Sequence, residues 1–187
     1  LAAALKAECY ENFTDVDTVY AVDPRIVPEV CHGIAEMTYR EMRELAYAGF
    51  GVFHDEAVVP AFRAGIPINI RNTNHPERPG TRVVTKREAA TCSAVGIASD
   101  TGFVALYVDK YMMNREVGFG RRLLQILEDE GVSFEHMPSG IDNVSVVIRA
   151  SRFDAAREAR IVARIHAELK PDAVLVERDH ALIMVVG

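Results

Sequence analysis

The chain has 187 residues, 49% of them hydrophobic and 26% charged, which is the composition of one or two globular domains and excludes a disordered chain. Lys and Arg number 21 against 27 Asp and Glu, a net charge of −6. That balance argues against wrapping nucleic acid, because neutralising phosphates needs a dense basic surface. No apolar run has the length of a membrane span, and Leu1 to Ala7 is too short and weakly patterned for a signal peptide. Cys9, Cys31 and Cys92 are odd in number and widely spaced, which fits a reducing cytosol rather than a disulfide framework or a zinc ribbon. A cytoplasmic location without membrane or nucleic-acid partners is therefore expected. The first residue is not Met, so a fragment is also expected.

Leu5 to Phe13 is a mixed segment that can form a strand. In Thr14 to Arg25, Pro24 and the following Pro28 forbid helix and push their neighbours to extended geometry. Thr38 followed by Glu41 makes a capping box for a helix reaching about Ala48, closed by Gly49. Phe50 to Phe53 reads as a buried strand. Asp55 caps a second helix, Glu56 to Ala64, closed by Gly65. Pro67 to Arg71 is a strand, with Ile66, Ile68 and Ile70 on one face. This alternation predicts an α/β unit with a parallel sheet. Asn72 to Thr81 is turn chemistry throughout, and Thr81 to Thr85 is a short strand.

Phe103 to Val108 is an apolar strand. Gly118 to Glu130 is an amphipathic helix with Phe119, Leu123, Ile126 and Leu127 as its buried stripe. Val132 to Met137 and Asn143 to Arg149 read as strands. Ser151 or Asp154 opens a helix to Leu169 with Ile161, Val162, Ile165 and Leu169 as its buried stripe, and Pro171 stops it. Ala173 to Glu177 and Ala181 to Val186 read as two further strands. The order β-α-β-β-α-β is the ferredoxin-like pattern.

Several chemical-looking clusters have plain structural readings. Gly118-Phe119-Gly120 opens a helix, and a dinucleotide fingerprint fails for want of a third glycine at Leu123. In His54-Asp55-Glu56 the acids suit a helix start, and the six histidines are too scattered for a metal set. Cys92-Ser93 and His136 form no nucleophile–base pattern. No catalytic and no metal-ligating residue is assigned. Thr14 to Arg25 is more specific, with Asp15, Asp17, Asp23, Tyr20 and Arg25 in a segment of little helix potential. Such a loop can hold a nucleotide, with Tyr against a base, Arg on phosphate and carboxylates on ribose or Mg²⁺. It can equally be a polar surface loop with an Asx turn at Asp23-Pro24, and composition leaves both readings open.

Thr14-Asp15-Val16-Asp17-x-Val19-Tyr20-x-x-Asp23-Pro24-Arg25 resembles the nucleotide-binding loop of aspartate kinases, in the amino-acid kinase superfamily. The resemblance continues through Tyr39-Arg40-Glu41-Met42-x-Glu44-Leu45-Ala46, Val52-Phe53-His54 and Ala64-Gly65-Ile66-Pro67. It extends to Arg71-Asn72-Thr73-Asn74-x-Pro76-x-x-Pro79-Gly80-Thr81, and from Val95-Gly96-Ile97-Ala98 onward the chain is similar to the family's regulatory ACT region.

The resemblance implies an α/β fold: the C-terminal part of an amino-acid kinase sandwich over 1–86, then a ferredoxin-like ACT region over 87–187. The first ACT unit would span about 92–170, and an incomplete second one would begin at about 171–187. It implies ATP-dependent phosphorylation of the L-aspartate β-carboxylate, with Mg²⁺, on the route to lysine, threonine and methionine. Thr14, Asp15 and Tyr20 would contact adenosine, and Asp23, Pro24 and Arg25 would lie near the phosphates. Gly51 departs from a nucleotide-contacting Lys found in many relatives. The family's Lys- and Gly-rich catalytic segment has no counterpart in these 187 residues, so this stretch alone is expected to be inactive. For a lysine or threonine effector the resemblance points to Met113, Asn114, Gly118 and Phe119 on a loop and Ser133, Phe134 and Glu135 on a strand of a partner domain, with Asp142 and Asn143 alongside. A homodimer through the ACT regions follows. A stand-alone amino-acid sensor without catalysis is the alternative.

Overall fold

A computed structural model of the chain describes residues 1–30, 32–47, 55–88 and 94–187. The expectations for Gly49, the strand 50–53, Gly51, His54, Cys31, Cys92 and Ser93 fall outside the described residues. Two compact units are present, residues 1–100 with 183–187, and residues 101–182. Compactness does not test the expected division at 86/87, which concerns the family's domains.

The first unit contains α1 (Ala2–Leu5), β1 (Tyr10–Thr14), β2 (Val19–Tyr20), β3 (Gly33–Ile34), β4 (Glu36–Thr38), α2 (Tyr39–Tyr47), α3 (Asp55–Ala64), β5 (Ile68–Asn72) and β6 (Thr81–Val84). Its larger sheet has the order β1-β5-β6-β4. β1 runs parallel to β5 and β4 parallel to β6, but β5 and β6 are antiparallel. The parallel sheet expected from the sequence is thus a mixed one. Residues 73–80 are a turn-rich connector with no crossover helix, and only an antiparallel pair closes over so short a link. Ile66, Ile68 and Ile70 are buried as the alternation predicts, and Ile68 and Ile70 pack with Val19, Met37, Met42 and Leu45 in one core.

The capping box at the start of α2 is formed. The Thr38 N–H donates to Glu41 Oε2 at 2.7 Å and the Glu41 N–H donates to Thr38 Oγ1 at 3.2 Å. Glu41 also accepts from Arg87, Nη2 to Oε1 at 2.7 Å and Nε to Oε2 at 3.0 Å. The guanidinium holds the Glu41 carboxyl below its ordinary value of 4.5. A depressed folded pKa stabilises fully above the unfolded value, and that stabilisation is lost as pH falls through the folded one. Glu41→Gln keeps the box but not the charge. The difference in stability between wild type and Glu41→Gln should therefore shrink as pH falls below about 4.5, read by urea unfolding at a series of pH values. A difference that does not change with pH would mean that the ion pair carries no linkage.

The second unit is built on β7 (Gly96–Asp109) from Thr101 onward, α4 (Phe119–Asp129), β8 (Asn143–Arg149), α5 (Ala155–Leu169) and β9 (Ala173–Val186) as far as Leu182, with the sheet order β8-β7-β9. The α4 stripe is as expected: Phe119, Leu123, Ile126 and Leu127 are buried against Ile148 and Phe153. Asp154, not Ser151, caps α5, accepting the Arg157 N–H at 2.8 Å.

Two strand expectations are corrected. Residues 132–137 form no continuous strand and touch the free edge of β8 only at the His136–Val147 bridge, with a second bridge at Ser139–Val144. Both bridges share one antiparallel register. Pro138 between them has no N–H to give, which interrupts the ladder. This segment still occupies the fourth-strand position of a ferredoxin-like sheet. Ala173–Glu177 and Ala181–Val186 are one strand, not two. The polar run Arg178-Asp179-His180 reads as a turn, but the chain absorbs it with Asp179 at φ 62° and continues. Among the described residues no helix is long and apolar enough to cross a membrane.

Candidate functional site

β1 and β5 run parallel and end together, Thr14 opposite Asn72. Ligands of α/β sheets gather outside such carboxyl ends. There the first unit encloses a cavity of about 590 Å³, within the range of small-molecule sites. Thr14, Asp15, Tyr20, Asp23, Pro24 and Arg25, all six residues singled out for nucleotide contact, line it. Val16, Val22, Ile26 and Val27 from the same segment make much of the remaining wall.

The segment from Asp23 to Val27 is a tight turn. Asp23 O accepts the N–H groups of Ile26 and Val27 at 3.0 Å each, and Asp23 Oδ1 accepts the Arg25 N–H at 2.8 Å. This is the Asx turn of the plainer sequence reading, and it forms part of the cavity wall. The Arg25 guanidinium folds back on the same carboxylate, Nη2 to Oδ2 at 2.8 Å and Nε to Oδ1 at 3.1 Å. Those bonds hold the Asp23 carboxyl below its ordinary range. The Arg25 side chain is 87% exposed, so it is free to leave Asp23 for a stronger anion such as a phosphate.

Distant residues fix the rest of the loop. The Asn72 amide donates to Asp17 Oδ1 at 2.6 Å and accepts the Asn74 N–H at 2.8 Å, while Arg78 pairs with the other oxygen of Asp17. The fully buried Thr81 hydroxyl accepts the Val19 N–H at 2.8 Å, donates to Ile34 O at 2.6 Å and lies 2.7 Å from Thr18 Oγ1. Sequence reasoning missed Asn72, Arg78 and Thr81 as supports of this loop, although Asn72 and Thr81 are residues of the motif from Arg71 to Thr81 and Arg78 lies within its span. Among the described residues no group of three or more His, Cys, Asp or Glu is gathered for a metal ion.

In the second unit, Gly118 precedes α4 with φ 80°, no side chain caps that helix end, and Phe119 and Met113 are buried. The loop is pinned around them. Lys110 reaches Leu169 O and Glu116 at 2.5 Å each, and Glu116 also pairs with Arg122. Asp142 Oδ1 accepts the Met112 N–H at 2.8 Å, and the Asn114 N–H donates to Ile141 O at 3.1 Å. Asn143 pairs with Asp109 across β7 and β8. Met113, Asn114, Gly118, Phe119, Asp142 and Asn143 therefore belong to one end of this unit. Ser133 and Phe134 share a hollow with Leu127 and Glu128, near the other end of α4, and Glu135 N donates to Val147 O on the free edge of β8. The eleven residues of α4 span about 16 Å, so one copy does not bring the two groups together.

The model of the amino acid kinase family matches residues 1–72. Aspartokinase 3 of Bacillus subtilis is 59% identical over all 187 residues, which cover 41% of that relative's length. The chain is aspartokinase-like from end to end. The aspartate kinase of Clostridium acetobutylicum, described as allosteric, matches the whole chain at 43% identity and a TM-score of 0.90, over 43% of its own length. Aspartokinase III of Escherichia coli shares the fold at 24% identity. It was solved with aspartate and ADP (TM-score 0.78) and with lysine and aspartate (TM-score 0.76), and the chain covers 98% of itself and about 40% of that protein in each. The chain thus spans less than half the length of these aspartokinase relatives. The mixed α/β fold and the ferredoxin-like second unit are those of the aspartokinase structures.

Proposed function

We propose that the polypeptide carrying this chain is an aspartate kinase, transferring the γ-phosphoryl group of ATP to the β-carboxylate of L-aspartate and giving 4-phospho-L-aspartate for lysine, threonine and methionine synthesis. The observation that carries this is the single cavity lined by Thr14, Asp15, Tyr20, Asp23, Pro24 and Arg25 in a chain similar to aspartokinases along its whole length. Tyr20, Thr14 and Asp15 hold the nucleoside. Pro24 fixes the turn that presents Arg25 to the phosphates, which the guanidinium binds by charge-assisted hydrogen bonds. Mg²⁺ enters with the nucleotide, and Asp15 and Asp23 are the carboxylates that the cavity offers it. Transfer itself needs cationic stabilisation of the moving phosphoryl group, which in the family comes from a segment outside these residues.

The second unit is the regulatory part. Its effector is lysine or threonine, held by Met113, Asn114, Gly118 and Phe119 with Asp142 and Asn143 alongside, and by Ser133, Phe134 and Glu135 of a second copy. Dimerisation completes that site. The start of α4 at Gly118 and Phe119, which no side chain caps, receives the effector's carboxylate at the positive end of the helix dipole, and Glu135 its ammonium group. The E. coli protein of the same fold, solved with lysine, supports a lysine-binding role, and the composition supports a cytoplasmic location.

The test is L-aspartate-dependent release of ADP by the polypeptide that carries these residues, with lysine and threonine titrated in. Activity that requires L-aspartate is expected. Glu135→Ala should raise the effector concentration for half-response about tenfold, the loss of one charged hydrogen bond. No aspartate-dependent turnover would contradict the assignment, and an unchanged effector response would remove Glu135 from the site.

A further inference from the structure

The cavity has a second wall that the loop 14–27 does not supply. Ile97, Ala98 and Ser99 at the start of β7, and Ile183 near the end of β9, also line it. These residues lie outside the stretch matched by the family model and within the first unit. Strand alternation sets their directions. Ala98 is buried and Met184 packs on the first core, so Ile97 and Ile183 face the opposite way. They are 42% and 68% exposed, two branched apolar side chains on the wall of a cavity, the kind of lining that small-molecule sites use.

The wall is held firmly against the loop. The Ile97 N–H donates to Ala21 O at 2.7 Å and the Val95 N–H donates to Val186 O at 2.6 Å. Gly96 sits so close that a Cβ there would lie 3.0 Å from Ala21 O and 3.2 Å from a Leu45 methyl. The two isoleucines are therefore positioned before any ligand arrives, at little ordering cost. The cavity then has an apolar side at Ile97 and Ile183 and a cationic group at Arg25, which suits a ligand with a flat apolar ring and an anionic tail.

We infer that Ile97 and Ile183 are binding residues for the base of the nucleotide, with its phosphates at Arg25. This rests on the nucleotide reading of the cavity and extends it to β7 and β9. Burying an isoleucine against the ring is worth about tenfold in affinity.

The experiment is calorimetric titration of ADP into the unaltered chain and into Ile97→Ala, Ile183→Ala and Ile183→Val, with the thermal midpoint of each recorded. Ile183→Ala and Ile97→Ala should each weaken ADP about tenfold, and Ile183→Val, which keeps most of the apolar face, about threefold or less. Thermal midpoints should hardly move for the Ile183 variants, since that side chain is largely exposed. Unchanged ADP affinity in both alanine variants would overturn the inference while leaving the nucleotide reading in place. Equal losses for Ile183→Val and Ile183→Ala would also overturn it, because apolar area would not be what is read. No ADP binding by the unaltered chain would overturn the nucleotide reading of the cavity and this inference with it.

Discussion

Gly80→Ala should destabilise the first unit by about 3 kcal/mol or more, whereas Gly65→Ala should cost about 1 kcal/mol. Both glycines have positive φ, 75° at Gly80 and 66° at Gly65, so both pay the left-handed penalty when a Cβ is added. They differ in what the Cβ meets. At Gly65, which follows α3, nothing lies within 4 Å. At Gly80 the new carbon would stand 2.0 Å from Ile70 O, a main-chain atom of β5 that cannot swing away. The antiparallel pair, with Ile70 opposite Thr81, must shift to admit it. Urea unfolding of the two variants reads the difference, and equal costs would mean that the close approach is absent in solution.

Thr81→Val should cost about 2–3 kcal/mol, and Thr81→Ser about 1 kcal/mol. Valine fills the same volume but has no oxygen to accept the Val19 N–H at 2.8 Å and no hydrogen for Ile34 O at 2.6 Å. Val19 and Thr81 are both fully buried, so water cannot replace the lost partner, and an unpaired buried N–H pays its full desolvation. Serine keeps both bonds and loses one methyl. Val19 begins β2, directly before Tyr20 on the cavity wall, so the Val19 amide should also exchange faster with solvent in Thr81→Val. Equal stability of the valine and serine variants would contradict the role given to the hydroxyl.

What could be read from the sequence was local. The capping box at Thr38 and Glu41, the alternation of Ile66, Ile68 and Ile70, and the stripe on α4 each depend on spacings of two to four residues, and each is present as read. The six cavity residues also stand close together in the chain, which is why one motif could name them. What was missed depends on distant pairs. Asn72 and Arg78 reach Asp17 across 55 and 61 positions, and Thr81 reaches Val19 across 62, and no periodicity announces such bonds. The isoleucine wall was hidden for the same reason, since Ile97 and Ile183 read as ordinary strand residues until the fold sets them on the wall of the cavity that Tyr20 also lines. The mixed sheet could have been foreseen, because the link 73–80 is too short for a crossover. The unbroken β9 could not, since Arg178-Asp179-His180 has the composition of a turn and the bend is absorbed at one residue.

In the proposed function, the cavity lined by Thr14 to Val27 takes a nucleotide with Arg25 on its phosphates. ADP titrated calorimetrically into the unaltered chain and into Arg25→Ala tests it most directly. Binding with one site per chain is expected, weakened about tenfold or more in Arg25→Ala through the loss of charge-assisted hydrogen bonds. Absence of binding by the unaltered chain, or the same affinity in both proteins, would contradict it.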